Sequence, residues 1–155
     1  MSNISQVANN KLLRTTNQTL TTSFVTLAES GASAENAAVN MTNSNQAYFF
    51  YSYTANAGAT TPKLWIQFQF TKEGINSSTP DTVWSTEEIE DAYVVGTGES
   101  QMQDRTYSSA GTAGTLISKA IPIPVAATWV RVQVKETLGS GSAGVITGYV
   151  AFAKV

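Results

Sequence analysis

The sequence contains neither cysteine nor histidine among its 155 residues. Without cysteine, the chain forms no disulfides and offers no thiolate ligands or thiol nucleophiles. Without histidine, it lacks the side chain that ordinarily titrates near neutral pH, which excludes Ser-His-Asp triads and histidine-ligated metal sites. We therefore expect no enzymatic activity, no cofactor and no small-molecule substrate.

Charged side chains are scarce as well, at 13% of the residues against about 25% in an average soluble domain. Nine basic and eleven acidic residues are spread without a basic run, so we expect no nucleic-acid partner. Ser, Thr, Asn and Gln supply 55 of the 155 residues. Because interface cores are depleted in charge, this composition favours a surface that is covered in an assembly.

Long apolar runs are also missing. No stretch approaches the ~20 apolar residues of a membrane-spanning helix, and the first residues form neither a charged nor an apolar segment of a signal peptide. We expect no membrane partner and no signal peptide.

Apolar and polar residues alternate with a period of two in the strongest segments, which predicts half-buried β-strands. In residues 64–71 (LWIQFQFT), Leu64, Ile66 and Phe68 share one face, and Trp65 lies on the opposite, otherwise polar face. In residues 129–135 (WVRVQVK), the valines are predicted to point inward.

Further strands are predicted at residues 20–27, 37–42, 48–53, 82–84, 93–95, 116–123 and 145–154, separated by turn-rich segments. Pro122 indicates an edge or a strand end. Residues 138–144 contain Gly-Ser-Gly-Ser-Ala-Gly, which predicts a C-terminal β-hairpin. The spacing predicts an all-β fold, a single antiparallel β-sandwich of jelly-roll or immunoglobulin-like type over residues 20–155.

The acidic residues Glu87, Glu88, Glu90 and Asp91 form the densest group of ionisable side chains. A calcium site and a carboxylate pair for glycoside hydrolysis are possible readings. Ser85 and Glu88 fit a helix capping box better, so we expect at most one short helical turn near residues 85–92 and no metal.

Aromatic residues are predicted on both faces of the strand at residues 48–53. Such outward rings, like Trp65, are explained equally by burial, by an interface or by a platform for sugars.

Residues 1–19 are polar and lack the alternation of the strands, so we expect an N-terminal arm. Its apolar residues are too few for a core of their own, and docking on a neighbouring subunit is favoured over docking on its own domain. The candidate interface residues are Ile4, Val7, Leu12, Leu13 and Trp65.

Three segments, residues 20–27 (LTTSFVTL), 129–135 (WVRVQVK) and 148–155 (GYVAFAKV), resemble small bacteriophage virion proteins of the capsid decoration, or cement, class. The resemblance is a similarity of composition and strand pattern over the whole chain, and no diagnostic motif carries it. It implies a homo-oligomer, with a trimer favoured, that binds the major capsid protein. It also implies a protein made in the host cytoplasm and located on the capsid surface of the virion.

Two other functions remain open. The aromatic excess and the amide-rich surface also suit a carbohydrate-binding or tail- or fibre-associated module. A hydrolase using Glu88 and Glu90 is the third hypothesis.

Overall fold

Two antiparallel sheets enclose one core in the computed structural model, which describes residues 7–71, 84–90, 102–124 and 129–154. Within these ranges the regular structure is entirely β, so the all-β prediction is confirmed. The strands are β1 (Val7–Thr19), β2 (Val25–Thr26), β3 (Val39–Asn40), β4 (Gln46–Thr54), β5 (Lys63–Thr71), β6 (Ser85–Thr86), β7 (Glu88–Glu90), β8 (Met102–Asp104), β9 (Tyr107–Ala110), β10 (Leu116–Pro122), β11 (Trp129–Thr137) and β12 (Val145–Lys154).

Sheet A contains four strands in the order β1-β12-β4-β10. Sheet B has the order β2-β11-β5-β6, with β3 also paired to β11 and β9 also paired to β5. The short strands β7 and β8 pair with each other. Every pairing is antiparallel, as predicted.

The core consists of the inward side chains of both sheets, as the period-two pattern predicts. Val130, Val132 and Val134 of β11 are fully buried. Phe49 of sheet A meets Phe68 of sheet B edge to face, with ring centroids 6.2 Å apart. The buried cluster also includes Leu13, Leu20, Leu27, Tyr51, Tyr53, Leu64, Ile66, Ile146 and Val150.

The predicted C-terminal hairpin is wrong. Strand β11 lies in sheet B and β12 in sheet A, so residues 138–144 cross from one sheet to the other. Ser140 forms a bridge with Thr60, in the connection that crosses between β4 and β5. The turn residues are compatible with either route, and the long-range strand pairings decide between them.

The expected N-terminal arm also differs from the structure. Residues 7–19 form β1, which pairs with β12 along the edge of sheet A. The register shifts between Leu12 and Arg14 and again between Arg14 and Gln18. These bulges interrupt the alternation, which is why the sequence pattern conceals the strand.

The helical turn that the capping-box pattern favours near residues 85–92 does not form over residues 85–90. Ser85–Thr86 pairs with β5, and Glu88–Glu90 pairs with β8. The Glu87 N–H donates to the Phe68 carbonyl at 3.0 Å, and the Arg105 N–H donates to the Glu87 carbonyl at 2.7 Å. Sheet hydrogen bonds therefore take the backbone groups that a helical turn would use, and residues 91 and 92 lie outside the described ranges.

The strands predicted at residues 48–53, 64–71, 116–123, 129–135 and 145–154 are confirmed, and Pro122 ends β10 at a sheet edge. Two of the predicted strands are only two residues long in the structure. These are β2 within residues 20–27 and β3 within residues 37–42. Residues 82–83 and 93–95 lie outside the described part of the chain, and Trp84 is not in a strand.

Candidate functional site

The exposed large apolar side chains of the described residues all lie on the outer face of sheet A. They are Leu12, Tyr48, Leu116 and Tyr149, with exposed fractions of 60%, 44%, 62% and 36%. Their neighbours along each strand are buried or half-buried inward residues, so the alternation fixes their direction. Together with Phe50 and Ala120 we call them the outer apolar face.

Strand register brings members of this face into one row. Leu12 of β1 is opposite Tyr149 of β12, Tyr149 is opposite Phe50 of β4, and Phe50 is opposite Ala120 of β10. Cross-strand neighbours in a sheet are close enough for their side chains to touch. Residues that are distant in the sequence therefore form a continuous band across all four strands.

The aromatic members of the band pack on each other. Phe50 and Tyr149 are stacked, with centroids 5.0 Å apart and ring planes 6° apart. Tyr48 lies 6.4 Å from Phe50 in a tilted arrangement. This packing restricts the conformations of the rings, and such preorganisation lowers the entropy that an aromatic surface loses on binding.

A shallow groove of about 460 Å³ runs beside the stacked rings. Two of its hydroxyl groups, those of Ser52 and Ser118, hydrogen-bond each other at 2.9 Å. Lys119 lines the groove, but its ammonium group donates to Ser109 of β9 at 3.1 Å. The groove thus suits an apolar contact better than a polar ligand.

Among the described residues, no charged side chain occupies an outward position on sheet A. Arg14 is directed to the opposite side, where it donates to the Ala28 carbonyl at 3.1 Å and lies 3.8 Å from the Glu29 carboxylate. Hydrogen bonds from Thr15 lower the pKa of that exposed carboxyl.

The outer face of sheet B is different in kind. Lys63 lies over the Trp65 ring at 4.2 Å, Lys135 lies over Phe24 at 4.6 Å, and Arg131 lies over Trp84 at 4.5 Å. Between the cations, Gln67 donates to Gln133 at 2.7 Å. We call these three cations and three rings the cation–aromatic face.

The cations of this face are partly removed from water. Arg131 donates to the Gln69 side chain at 2.7 Å, and burial lowers the pKa of its guanidinium. Because the cations cover the aromatic rings, the apolar surface of sheet B is shielded without a partner.

The five predicted interface residues have different locations. Leu12 lies on the outer apolar face, but Leu13 is 1% exposed and belongs to the core, so its prediction as a contact residue is wrong. The Trp65 indole N–H donates to Thr137 at 2.9 Å, and lysine covers its ring. Val7 pairs with Lys154 through the backbone, and its side chain, like Ile4, lies outside the described residues.

The acidic group is divided among different contacts. The Glu87 carboxylate accepts a hydrogen bond from the Tyr107 hydroxyl at 3.2 Å and lies 3.7 Å from Arg105. Burial and the neighbouring Glu87 raise the pKa of Tyr107. Glu88 is exposed, and the side chain of Glu90 and all of Asp91 lie outside the described residues. The residues that the structure describes contain no cluster of acidic side chains able to hold a metal ion.

One buried carboxylate links the two sheets. Glu136 of β11 is 1% exposed and accepts from the Tyr53 hydroxyl of β4 at 2.5 Å and from the Gly144 N–H at 2.7 Å. Burial, followed by this hydrogen bond and the nearby carboxylate, raises the pKa of Tyr53 above its usual range. Glu136 occupies the next inward-facing position of β11 after Val130, Val132 and Val134. This alternation could have predicted its burial from the sequence.

Leu116 and Tyr149 were not among the residues singled out from the sequence. They lie on different strands, and only the pairing of β4, β10 and β12 places them on the same sheet face as Tyr48.

No family model matches the chain, and no curated protein sequence matches it significantly. In the described part of the chain, no helix has the length and apolar character needed to cross a membrane.

Proposed function

We propose that this chain is a structural protein of a virus particle, of the capsid decoration type, and that it binds the assembled shell through the outer apolar face. The supporting observation is the collection of Leu12, Tyr48, Leu116 and Tyr149 on one sheet face that has no charge among the described residues. Exposed apolar side chains that are collected on one face and bordered by polar residues mark interaction surfaces.

The dimensions of the outer surface of sheet A fit a protein interface. Four strands about 4.8 Å apart and about nine residues long, polar residues included, cover roughly 600 Å². Burial against a partner then removes about 1,200 Å² in total, which is the lower end of specific interfaces. Such a contact is strengthened when many copies bind one lattice or when the protein is itself oligomeric.

Contact through the sheet face is favoured over addition of a strand at the sheet edge. The edge strand β10 has Lys119 and ends at Pro122, and the edge strand β1 has two register shifts. Lysine, proline and bulges at edges disfavour pairing with another chain. The two edges of sheet A are therefore protected, while its outer face is not.

The proposed partner is the major capsid protein, and the proposed free form is a homo-oligomer, with a trimer favoured. Binding to the assembled shell and not to its separated subunits stabilises the shell by mass action. The native mass of the purified chain tests the oligomer, and a mass of one chain contradicts that part of the proposal.

The main test is co-sedimentation with shells of the encoding virus that have been prepared without this chain. The wild type is expected to bind saturably, and Leu116→Glu to weaken binding at least about 30-fold, because a charge is then buried in an apolar contact. Ser108→Glu is the matched control, because Ser108 is exposed on sheet B opposite Trp65. Absence of wild-type binding, or equal binding by all three proteins, overturns the proposal.

Truncation of the first 14 residues is not a suitable test of this proposal. Such a truncation removes Leu13 from the core and most of the pairing between β1 and β12. It would therefore weaken the fold together with any contact.

A further inference from the structure

A second cavity, unlike the groove on sheet A, lies where the two sheets meet near the start of β1. It has a volume of about 290 Å³ and is formed by residues of β1, β3, β11 and β12 and by the segment before β3. This cleft is separate from the outer apolar face, because no residue of that face lines it; its β1 residues are Asn9, Asn10 and Lys11.

The cleft is apolar at its base and amide-rich at its rim. Ala38 and Val39 are each 1% exposed at the base, and Trp129 is half-buried in the wall. Asn9, Asn36 and Asn40 are exposed at the rim. Small-molecule sites have this composition, with an apolar lining and a few polar groups that fix the ligand's orientation.

The rim amides retain hydrogen-bonding capacity. Within the described residues, the side chains of Asn9 and Asn36 have no hydrogen-bond partner, and Asn40 uses its oxygen to accept from the Thr42 N–H at 2.9 Å. This differs from the groove on sheet A, where Ser52 and Ser118 satisfy each other. An amide side chain offers two donor hydrogens and an acceptor oxygen, so the rim can both donate and accept.

The charges of the cleft cancel. Lys11 and Glu35 both line it, and no ion pair joins either of them to another residue that the structure describes. One positive and one negative group give no preference for a ligand of either sign, which favours a neutral ligand over an anion or a cation.

We propose that this cleft binds a neutral saccharide, with one sugar ring against Trp129 and its hydroxyls bonded to Asn9, Asn36 and Asn40. Sugar hydroxyls donate and accept, as the rim amides do, and the apolar C–H face of a sugar ring packs on an aromatic side chain. The volume lies just below the range of about 300–1,000 Å³ for ligand pockets, which suits one ring of a longer saccharide. This inference does not depend on the proposed shell binding.

Isothermal titration of the full chain with four neutral tetrasaccharides, built from glucose, mannose, galactose or N-acetylglucosamine, tests the proposal. A uronic acid tetramer is the charged comparison. At least one neutral probe is expected to bind with a Kd below about 10 mM and more tightly than the uronic acid tetramer. No binding by any neutral probe, or tighter binding of the acidic probe, overturns the proposal.

Substitutions locate the site. Asn36→Ala is expected to weaken binding of the responding probe about 5- to 10-fold, the loss that corresponds to one or two hydrogen bonds. Trp129→Ala is expected to abolish binding, and Trp129→Phe to retain part of it. Because Asn36 is exposed, its variant keeps the test decisive if Trp129→Ala does not fold.

Tyr149→Ala is the matched control, because Tyr149 is an aromatic residue outside the cleft. It is expected to bind the saccharide as the wild type does. Unchanged binding by Asn36→Ala and Trp129→Phe, or loss in Tyr149→Ala alone, places the sugar elsewhere and overturns the assignment to this cleft.

Discussion

The outer faces of the two sheets differ in how their apolar side chains are covered. On sheet B, three cations lie over three aromatic rings and cover them. On sheet A, the rings of Tyr48, Phe50 and Tyr149 pack only on one another, and Leu12 and Leu116 remain exposed. A long charged side chain shields a ring while its charge stays in water, so the cation–aromatic face needs no partner and the outer apolar face gains most from one.

After the loss expected for Leu116→Glu, the largest expected effect is the difference between the two faces in shell binding. Tyr149→Ala is expected to weaken shell binding at least about 10-fold, because it removes an aromatic anchor from the centre of the contact. Trp65→Ala is expected to leave shell binding unchanged. Co-sedimentation of both variants at equal concentration measures the difference. If Trp65→Ala loses more binding than Tyr149→Ala, the assignment of the faces is reversed.

The next effect concerns the core that both faces share. Tyr53→Phe leaves one oxygen of the buried Glu136 carboxylate without its hydroxyl partner, so we expect unfolding to cost about 1–3 kcal/mol less. Chemical denaturation measures this loss.

Hydrogen exchange should show strands of both sheets losing protection together, because the hydrogen bond joins β11 to β4. Tyr51→Phe is the matched control, since the Tyr51 hydroxyl hydrogen-bonds the uncharged Ser109, and a smaller loss is expected there. Loss of protection in one sheet alone would show that the two sheets do not share one cooperative core.

A smaller effect tests the shielding on sheet B. Lys135→Gln removes a cation that lies over both Phe24 and Trp65, and we expect about 0.5–1 kcal/mol less stability, with shell binding unchanged. The control is Lys154→Gln, because Lys154 is exposed at the end of β12. If the two variants are equally stable, the cations contribute nothing beyond solubility.

The last prediction is a loss of folding stability at alkaline pH. Near neutral pH this is the smallest of the expected effects. The pKa values of Tyr53 and Tyr107 are raised in the folded protein, so the unfolded chain releases these protons first. Stability is therefore complete below the ordinary tyrosine pKa of about 10 and falls as the pH rises above it. Denaturation at pH 8 and above pH 10 measures the decline, and Tyr53→Phe should reduce its slope. A slope unchanged by that substitution would contradict the pKa shift of Tyr53.

Local patterns predicted the strands well where alternation was unbroken. Residues 64–71, 129–135 and 145–154 became strands because each has one continuous apolar face to bury. The pattern failed at β1, where bulges near Arg14 break the period, and at Ser85–Glu90, where a capping-box sequence joins a sheet. In both cases, hydrogen bonds to a distant strand outweighed the local preference.

The candidate surfaces were less predictable than the strands. Trp65 was conspicuous on a polar strand face, yet two lysines cover it. Leu12 and Leu13 looked equivalent in the sequence, but one is on the surface and the other in the core. Which of two adjacent residues points inward follows from the register of β1 on β12, and that register is not a local property.

The sequence by itself determined that the protein is all-β, that its core is built from alternating apolar residues, and that its surface has few charges. Composition and period suffice for these properties, because they depend on each residue and its near neighbours. Only the tertiary structure decided that residues 138–144 cross between sheets, that Leu12, Tyr48, Leu116 and Tyr149 share one face, and that Asn9 and Trp129 border one cleft. These relations join residues far apart in the sequence, and they are fixed by the collective pairing of strands and burial of one core.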